Sequence, residues 1–481
     1  MTASSRPHSA TSLGRSKSRK VCPCCLRCFR RRSCLGTIGP ETTKLVSRGR
    51  TSPELTISRR PLLAHPPLGW NSWDVYGASV RENEVLENAE HMAARLASFG
   101  WEYVVVDIQW YEPGAFSSAY RPFVPLEMDA VSRLVPAANR FPSAAGGAGF
   151  EYLARRIHAL GLKFGIHVMR GVPRQAVHAD TPILGTTVGA RDIAQTNSIC
   201  PWNTDMYGVN PSALGAQEYY DSVFALYASW GVDIVKVDDI LLPYAVGEIE
   251  CIRRAIDRAG RDMVLSLSCG PTGLEHADHL RKNADMWRIT GDFWDRWEDL
   301  YSMFEPCRAW ARFSGDGHWP DADMLPLGRI ALRSCEHGCG DRWTRFTRAE
   351  QRTMMSLWSI VGSPLMLGSF LPDLDDWTLG LLTNREVLDM HRFARNPHQV
   401  SRQRDCVIWA ADGPDGTSYM AIFNLGVRRT SIAVPVQGTL GDGNLHDLWS
   451  GARLGPTESV REIEVDAHGA RVVATHSHRL G

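Results

Sequence analysis

Two short runs of the chain end in a carboxylate that follows a cation at even spacing. In Val235-Lys236-Val237-Asp238-Asp239, strand alternation puts Lys236 and Asp238 on one face and Val235 and Val237 on the other. The apolar pair must be the buried side against neighbouring elements, so Asp238 turns toward a polar opening and Asp239 lies just beyond it on the wrong parity. A lysine one pleat below a carboxylate favours its ionised form, the state a nucleophile needs; the plain alternative is a structural ion pair. In Met286-Trp287-Arg288-Ile289-Thr290-Gly291-Asp292 the same test groups Arg288, Thr290 and Asp292, and Gly291 would admit a close approach beside the last. A pair of such carboxylates suits glycoside cleavage, one attacking the anomeric carbon and the other protonating the leaving oxygen. Retaining enzymes hold the pair about 5 to 5.5 Å apart and inverting ones about 6.5 to 9.5 Å, a gap that chain spacing does not encode.

Other residues could hold a sugar. Tyr103–Trp110 is apolar until Asp107, with Gln109 on that carboxylate's parity and Trp110 as an aromatic candidate beside it. Asn71 and Trp73 pair in parity on an earlier strand and would supply a polar group and a flat ring. His167 and Arg170 end another strand; they either contact a sugar or form a satisfied structural pair. Trp202 and Asp205 sit in a long excursion that either covers the site or only packs over the rim. His318, Asp321 and Asp323 could be read as metal ligands, or as loop-structuring groups.

These residues need a frame. From Pro67 onward, short apolar runs alternate with stretches of helical period, the pattern of repeated βα units. The spacing predicts eight strands: Leu68–Trp73, Tyr103–Trp110, Lys163–Met169, Asp233–Ile240, Met263–Cys269, Met286–Asp292, His318–Leu325 and Ser363–Ser369. Helices are expected between them, among them Glu82–Phe99, Glu151–Leu160, Gln217–Trp230, Gly247–Ala259, Trp294–Arg312 and Arg348–Ile360. The fold class is α/β, a (β/α)8 TIM-type barrel whose chemistry sits at the strands' carboxyl ends. Beyond about Arg395, short alternating strands separated by Gly, Asp and Pro turns (Val407–Ala411, Tyr419–Asn424, Ser431–Val434, Leu445–Trp449) predict a small antiparallel all-β domain. The domains read as 1–60, a disordered or dispensable extension; 61–395, the barrel; and 396–481, the β domain.

The 481 residues carry 53 Lys+Arg against 53 Asp+Glu, a balance that argues against nucleic acid as partner. No apolar run reaches membrane-spanning length. The chain holds 16 Trp, rings that suit sugar faces as well as cores. Before Glu41 the chain has no acidic residue, and Cys22, Cys24, Cys25, Cys28 and Cys34 crowd this leader without a histidine nearby to complete a mixed zinc site. The leader reads as a dispensable extension, a transit-type peptide or a zinc site. It lacks a secretory apolar region, and the remaining cysteines are scattered, so a cytoplasmic, reducing compartment is favoured. Cys335 and Cys339 are spaced for a local disulfide or remain free thiols.

Several of these pieces recur together, in this order, in one family. Leu68-Gly69-Trp70-Asn71-Ser72-Trp73, Gly231 to Asp238, Trp287 to Asp292 and Trp319-Pro320-Asp321-Ala322-Asp323-Met324-Leu325 resemble the α-galactosidase (melibiase) family of retaining glycoside hydrolases. So do Ser363-Pro364-Leu365-Met366, Leu382 to Glu386 and Asp447-Leu448-Trp449-Ser450-Gly451, and the resemblance spans roughly residues 66 to 455. It implies that Asp238 is the nucleophile and Asp292 the acid/base, and that Lys236, Arg288, Trp73 and Asp107 bind the sugar. The chain departs from the family where specificity is set. Ile108 stands for the second of two adjacent aspartates, Ser268-Cys269-Gly270-Pro271 replaces a Cys-Glu-Trp type segment, and His167 to Gly171 replaces the usual loop. No cysteine follows Asp238, which leaves Cys200 free of the loop disulfide many relatives have.

The expected activity is removal of a terminal sugar by double displacement, α-galactosidase-like, with no cofactor and no metal. The alternatives are the same chemistry on a β-L-arabinopyranoside or an α-1,6-glucan, a sugar-binding barrel without turnover, and a metal-dependent barrel enzyme that a chelator would inhibit. The site set is Asp238 and Asp292 as catalytic residues, with Trp73, Asp107, Lys236, Arg288, Trp110, His167, Arg170 and Trp202 as substrate-binding residues. The partner is a carbohydrate, and oligomeric state is not readable.

Overall fold

In the eight main parallel strands the period-two alternation of the sequence becomes two distinct apolar layers. The computed structural model describes residues 62–334, 340–435, 440 and 443–476; the leader with its five cysteines and the pair Cys335 and Cys339 lie outside them. The strands are β1 (Leu68–Asn71), β2 (Tyr103–Val106), β3 (Lys163–Met169), β4 (Ile234–Asp238), β5 (Val264–Leu267), β6 (Met286–Arg288), β7 (Trp319–Asp321) and β8 (Leu365–Leu367). They lie in the order β7-β6-β5-β4-β3-β2-β1-β8. A parallel bridge from Leu325, just past β7, to Leu367 of β8 joins the two edges. Side chains of one parity, including Tyr103, Val105, Ile234, Val264, Met286 and Trp319, cluster with one another inside the curl. Those of the other, including Val104, Val106, Val235, Val237, Leu265 and Trp287, join the larger core with the helices. Parallel strands buried on both faces read as near-continuous apolar runs for this reason.

All eight expected strands are present, most of them shorter than the apolar runs that announced them. Helices Glu82–Arg95, Glu151–Ala159, Ala216–Ser229, Val246–Arg258, Ala277–Asn283, Trp297–Trp310 and Arg348–Val361 alternate with them. The last begins at a capping box, in which the Thr347 hydroxyl accepts from the Glu350 amide at 3.3 Å and the Glu350 carboxylate accepts from the Thr347 amide at 2.8 Å. It ends at Gly362, whose φ of 69° suits a residue without a side chain. This helix is buried almost all round because it serves two neighbours: Thr353 Oγ1 donates to the His468 carbonyl and Ser356 Oγ accepts from the Trp449 indole, both in the C-terminal domain.

That domain is antiparallel. Strands β9 (Arg395–Gln403), β10 (Cys406–Asp412), β11 (Ser418–Asn424), β13 (Asn444–Asp447), β14 (Arg453–Pro456) and β16 (Gly469–His476) form a sheet in the order β9-β10-β11-β16-β13-β14, and β12 (Thr430–Ala433) pairs with β15 (Glu462–Val465). Val407, Trp409 and Ala411 of β10 belong to the barrel's core, while Ile408 packs with Met420, Ile422, Ile432 and Ile463 on the other face. The sheet is thus buried on both sides. No helix among the described residues is long and apolar enough to cross a membrane.

Candidate active site

A cavity of about 430 Å³ opens at the carboxyl ends of the barrel strands, where loops rather than pleats determine side-chain direction. Its walls are built strand by strand: Asp107 and Ile108 follow β2, His167 comes from β3, Lys236 and Asp238 from β4, Cys269 follows β5, and Arg288 and Asp292 come from β6 and the loop beyond it.

Asp238 ends β4 only 7% exposed. Its Oδ1 accepts the Asp239 amide at 2.6 Å, and its Oδ2 lies 3.0 Å from His167 Nε2. Burial opposes its charge, but the His167 hydrogen bond and the positive field of Lys236 outweigh burial and hold the carboxyl well below the usual carboxylate range. It is therefore ionised, as an attacking carboxylate must be. Lys236 itself donates to Asp107 Oδ2 at 3.0 Å; that carboxylate also accepts from Asn71 Nδ2 at 2.7 Å and from the Ile108 amide at 2.8 Å. Against its burial, these partners hold Asp107 below its ordinary value. Asp239, on the other parity, points away from the cavity to Arg170, and burial pushes it up to about 6.

The opposite wall hangs on Arg288. Its Nη1 pairs with Asp323 at 2.7 Å and its Nη2 with Asp292 at 3.1 Å. Asp323 also accepts the Phe293 amide at 2.8 Å, fixing the residue next to Asp292. Asp292 lies past the end of β6, in the loop, with its side chain 55% exposed. One carboxylate is sunk at a strand end and the other stands at the open mouth, the division expected when one meets the ring and the other the leaving group. A Cβ at Gly291 would meet open space, leaving room beside Asp292, whereas one at Gly270 would come within 2.6 Å of the Thr290 carbonyl. The close approach of this loop is made by Gly270.

The rim is aromatic. Trp73, which starts a short helix rather than ending β1, stacks on Tyr120 at 6.3 Å and 13°, and Tyr120 meets Trp202 at 5.6 Å. All three line the cavity. Trp202 belongs to the excursion after β3, which forms a small sheet of its own from Val172–Pro173, Ala194–Ile199 and Met206–Val209. Asp205 pins that excursion by accepting from Gln109 Nε2 at 2.9 Å and the Tyr111 hydroxyl at 3.1 Å; it does not line this cavity.

Two residues of the expected site set, Trp110 and Arg170, do not line the cavity. Trp110 is fully buried, edge-on to Tyr111, Phe150 and Trp230, and its indole donates to the His167 carbonyl at 2.6 Å. Trp110 has the parity of Val104 and Val106, opposite to Asp107, and it joins them in the core against the helices. Arg170 is buried between Asp239 and Glu248, 3.0 Å from each, so its fork is used behind the cavity. His318 Nδ1 lies 3.2 Å from the Ala284 carbonyl, and among the described residues no three His, Cys, Asp or Glu side chains gather as a metal-ligand set. Among them Cys200, Cys251, Cys269, Cys307 and Cys406 are free thiols.

Other lining residues were not singled out as binding groups from the sequence. Tyr120 and Cys269 lie in irregular segments where parity says nothing. Asp74, directly after Trp73, is 2% exposed; burial and then the charge of Asp323 push its carboxyl well above the usual range. Its position beside an aromatic plate was the only signal.

Family models match residues 205–392 as α-galactosidase A and residues 403–474 as the α-galactosidase C-terminal β-sandwich domain. A solved structure of a GH27 β-L-arabinopyranosidase from Geobacillus stearothermophilus is 58% identical, with a TM-score of 0.85, covering 87% of this chain and 98% of that one. A substituted form of that enzyme, crystallised with arabinose, is likewise 58% identical with a TM-score of 0.84, over 86% of this chain and 98% of that one. The α-galactosidase of Cyamopsis tetragonoloba is 27% identical over 455 residues, 90% of this chain and 94% of the relative. With the barrel, its β-sandwich partner and a cavity set with carboxylates, these matches establish that the chain belongs to the α-galactosidase (melibiase) family of retaining glycoside hydrolases.

Proposed function

We propose that this enzyme removes terminal β-L-arabinopyranosyl units, with Asp238 as nucleophile and Asp292 as acid/base. One observation carries the choice of sugar: Ile108, next to the sugar-binding candidate Asp107, puts an apolar side chain in the cavity wall. An α-D-galactoside and a β-L-arabinopyranoside share their ring hydroxyl arrangement and differ by an exocyclic hydroxymethyl group. A carboxylate in the wall would accept from that hydroxyl; isoleucine cannot, and it leaves a buried hydroxyl unpaired. A pentopyranose has no such group. The identity to the Geobacillus enzyme supports the same choice.

In the first step an oxygen of Asp238 bonds to the anomeric carbon as the bond to the leaving oxygen breaks, and Asp292 gives that oxygen its proton. In the second, Asp292 takes a proton from water, the water oxygen bonds to the anomeric carbon, and the electron pair of the ester bond returns to Asp238. Asp107, Lys236 and Trp73 hold the ring, Arg288 orients Asp292, and Trp202 with His167 completes the wall. The barrel carries the chemistry, and the described strands of the C-terminal domain brace it through the helix Arg348–Val361.

The test is kcat/KM on 4-nitrophenyl β-L-arabinopyranoside and 4-nitrophenyl α-D-galactopyranoside. The pentoside is expected to lead by at least about tenfold, and a galactoside preference would overturn the assignment of the sugar.

A further inference from the structure

We infer that His167 is a positioning residue for the nucleophile, holding Asp238 Oδ2 through an Nε2–H hydrogen bond and easing its departure in the second step; this rests on Asp238 being the nucleophile. The heavy atoms lie 3.0 Å apart. An ionised carboxylate only accepts, so Nε2 carries the proton. The imidazole is 1% exposed, and its Nδ1 is buried with no hydrogen-bond partner. Of the two ring nitrogens, the one that is bonded is bonded to Asp238. Two features hold the ring there. Strand β3 pairs with β4 so that His167 lies opposite Lys236 and Met169 opposite Asp238, and the Trp110 indole clamps the His167 carbonyl at 2.6 Å. With Oδ1 held by the Asp239 amide at 2.6 Å, both carboxylate oxygens are fixed, and so is the plane of attack.

The contact acts unequally on the two half-reactions. When an Asp238 oxygen has bonded to the anomeric carbon, the carboxylate has become an ester, a weaker acceptor than the anion. The N–H bond therefore favours the free carboxylate over the intermediate. As the ester's bond to carbon breaks and its electron pair returns to Asp238, the hydrogen bond strengthens, so His167 stabilises the second transition state relative to the glycosyl-enzyme. The other titratable groups facing Asp238 are Lys236 on its own strand, which is paired with Asp107 of the β2 loop, the carboxylate of Asp239 next to it, which is paired with Arg170, and the thiol of Cys269 from the segment after β5, which hydrogen-bonds it.

The experiment compares His167→Phe, which cannot donate, with His167→Gln, which keeps an N–H. On a nitrophenyl glycoside of the sugar cleaved, His167→Phe is expected to lower kcat at least about tenfold, with KM falling alongside as the glycosyl-enzyme accumulates. A burst of nitrophenolate and intact mass would register that intermediate. The acid limb of kcat/KM, where the nucleophile takes up a proton, should move up by about one pH unit or more, and His167→Gln should recover part of each change. A rise in KM with kcat and the acid limb unmoved would make His167 a sugar contact and overturn the inference; equal losses in both variants without a burst would also overturn it. The wild-type enzyme, labelled with a 2-deoxy-2-fluoro analogue and mapped by peptide, separates the two readings. Label elsewhere than Asp238 removes the nucleophile assignment, whereas label on Asp238 with an unmoved acid limb removes only the role of His167.

Discussion

Lys236 Nζ lies 3.0 Å from Asp107 Oδ2, so the ammonium that shares a strand face with Asp238 makes its ion pair across β3, with the end of β2. It acts on Asp238 through its field, and His167 makes the direct contact. Two buried carboxylates thus depend on one cation.

Removing that cation should cost stability as well as activity. In Lys236→Met, Asp107 would keep Asn71 and the Ile108 amide but lose its counter-ion while 2% exposed. A loss of about 3 kcal/mol or more is expected, since an uncompensated buried charge remains. Urea unfolding measures it, and a change below about 1 kcal/mol would mean the pair behaves as a surface one.

Asp238→Ala and Asp292→Ala should each remove most activity and leave the unfolding midpoint near that of the wild type. Azide should restore turnover in Asp238→Ala by attacking the anomeric carbon directly, giving a glycosyl azide of inverted configuration. In Asp292→Ala the azide product should keep the substrate's configuration, because it forms from the glycosyl-enzyme. Proton NMR of the azide distinguishes the two, and the opposite pairing would exchange the roles of the carboxylates.

Ile108→Asp should move specificity toward the galactoside. The new carboxylate can accept from the exocyclic hydroxyl, a contact worth roughly 1.5 to 3 kcal/mol when charged, so the kcat/KM ratio of galactoside to arabinopyranoside should rise by about tenfold or more. An unchanged ratio would mean that another wall sets the sugar.

Acid should destabilise the fold through His391. Its Nε2 donates to the Ser363 carbonyl at 2.7 Å, and its Nδ1 is buried without a partner, so burial lowers its pKa to about 4 from an ordinary 6.5. The unfolded chain binds this proton more tightly, so the contribution is complete above about 6.5 and is lost as pH falls toward 4, by about 3 kcal/mol in all. Unfolding free energies at pH 7.5 and 5, compared with those of His391→Gln, should show a shallower slope in the variant.

Two glycines near the mouth should respond differently to alanine. At Gly368 a Cβ would come within 2.1 Å of Asp74 Oδ2, and Asp74 is buried in the cavity wall, so Gly368→Ala should cost about 1 to 3 kcal/mol and lower kcat/KM. At Gly291 a Cβ meets nothing within 4 Å, and thermal unfolding of Gly291→Ala should match the wild type. Equal shifts in both would mean that crowding at Asp74 is not the cause.

The sequence alone determined which side of each strand faces the barrel's interior. Alternation is a local property of an extended chain, and it separates Asp238 from Asp239 and places Asp107 and Arg288 toward the mouth without knowledge of any neighbour. The eight strands and the switch to antiparallel pairing near Arg395 were legible for the same reason. Trp110, on the parity opposite Asp107, packs in the helix-facing core as alternation implies, whereas Ile108 shares that parity and still reaches the cavity because β2 ends at Val106 and alternation carries no information past a strand end. The tertiary structure alone decided the partners. Lys236 meets Asp107 across 129 residues and His167 meets Asp238 across 71, pairings set by the register of β3 against its neighbours. That register comes from the packing of the whole barrel, and no short stretch of chain contains it.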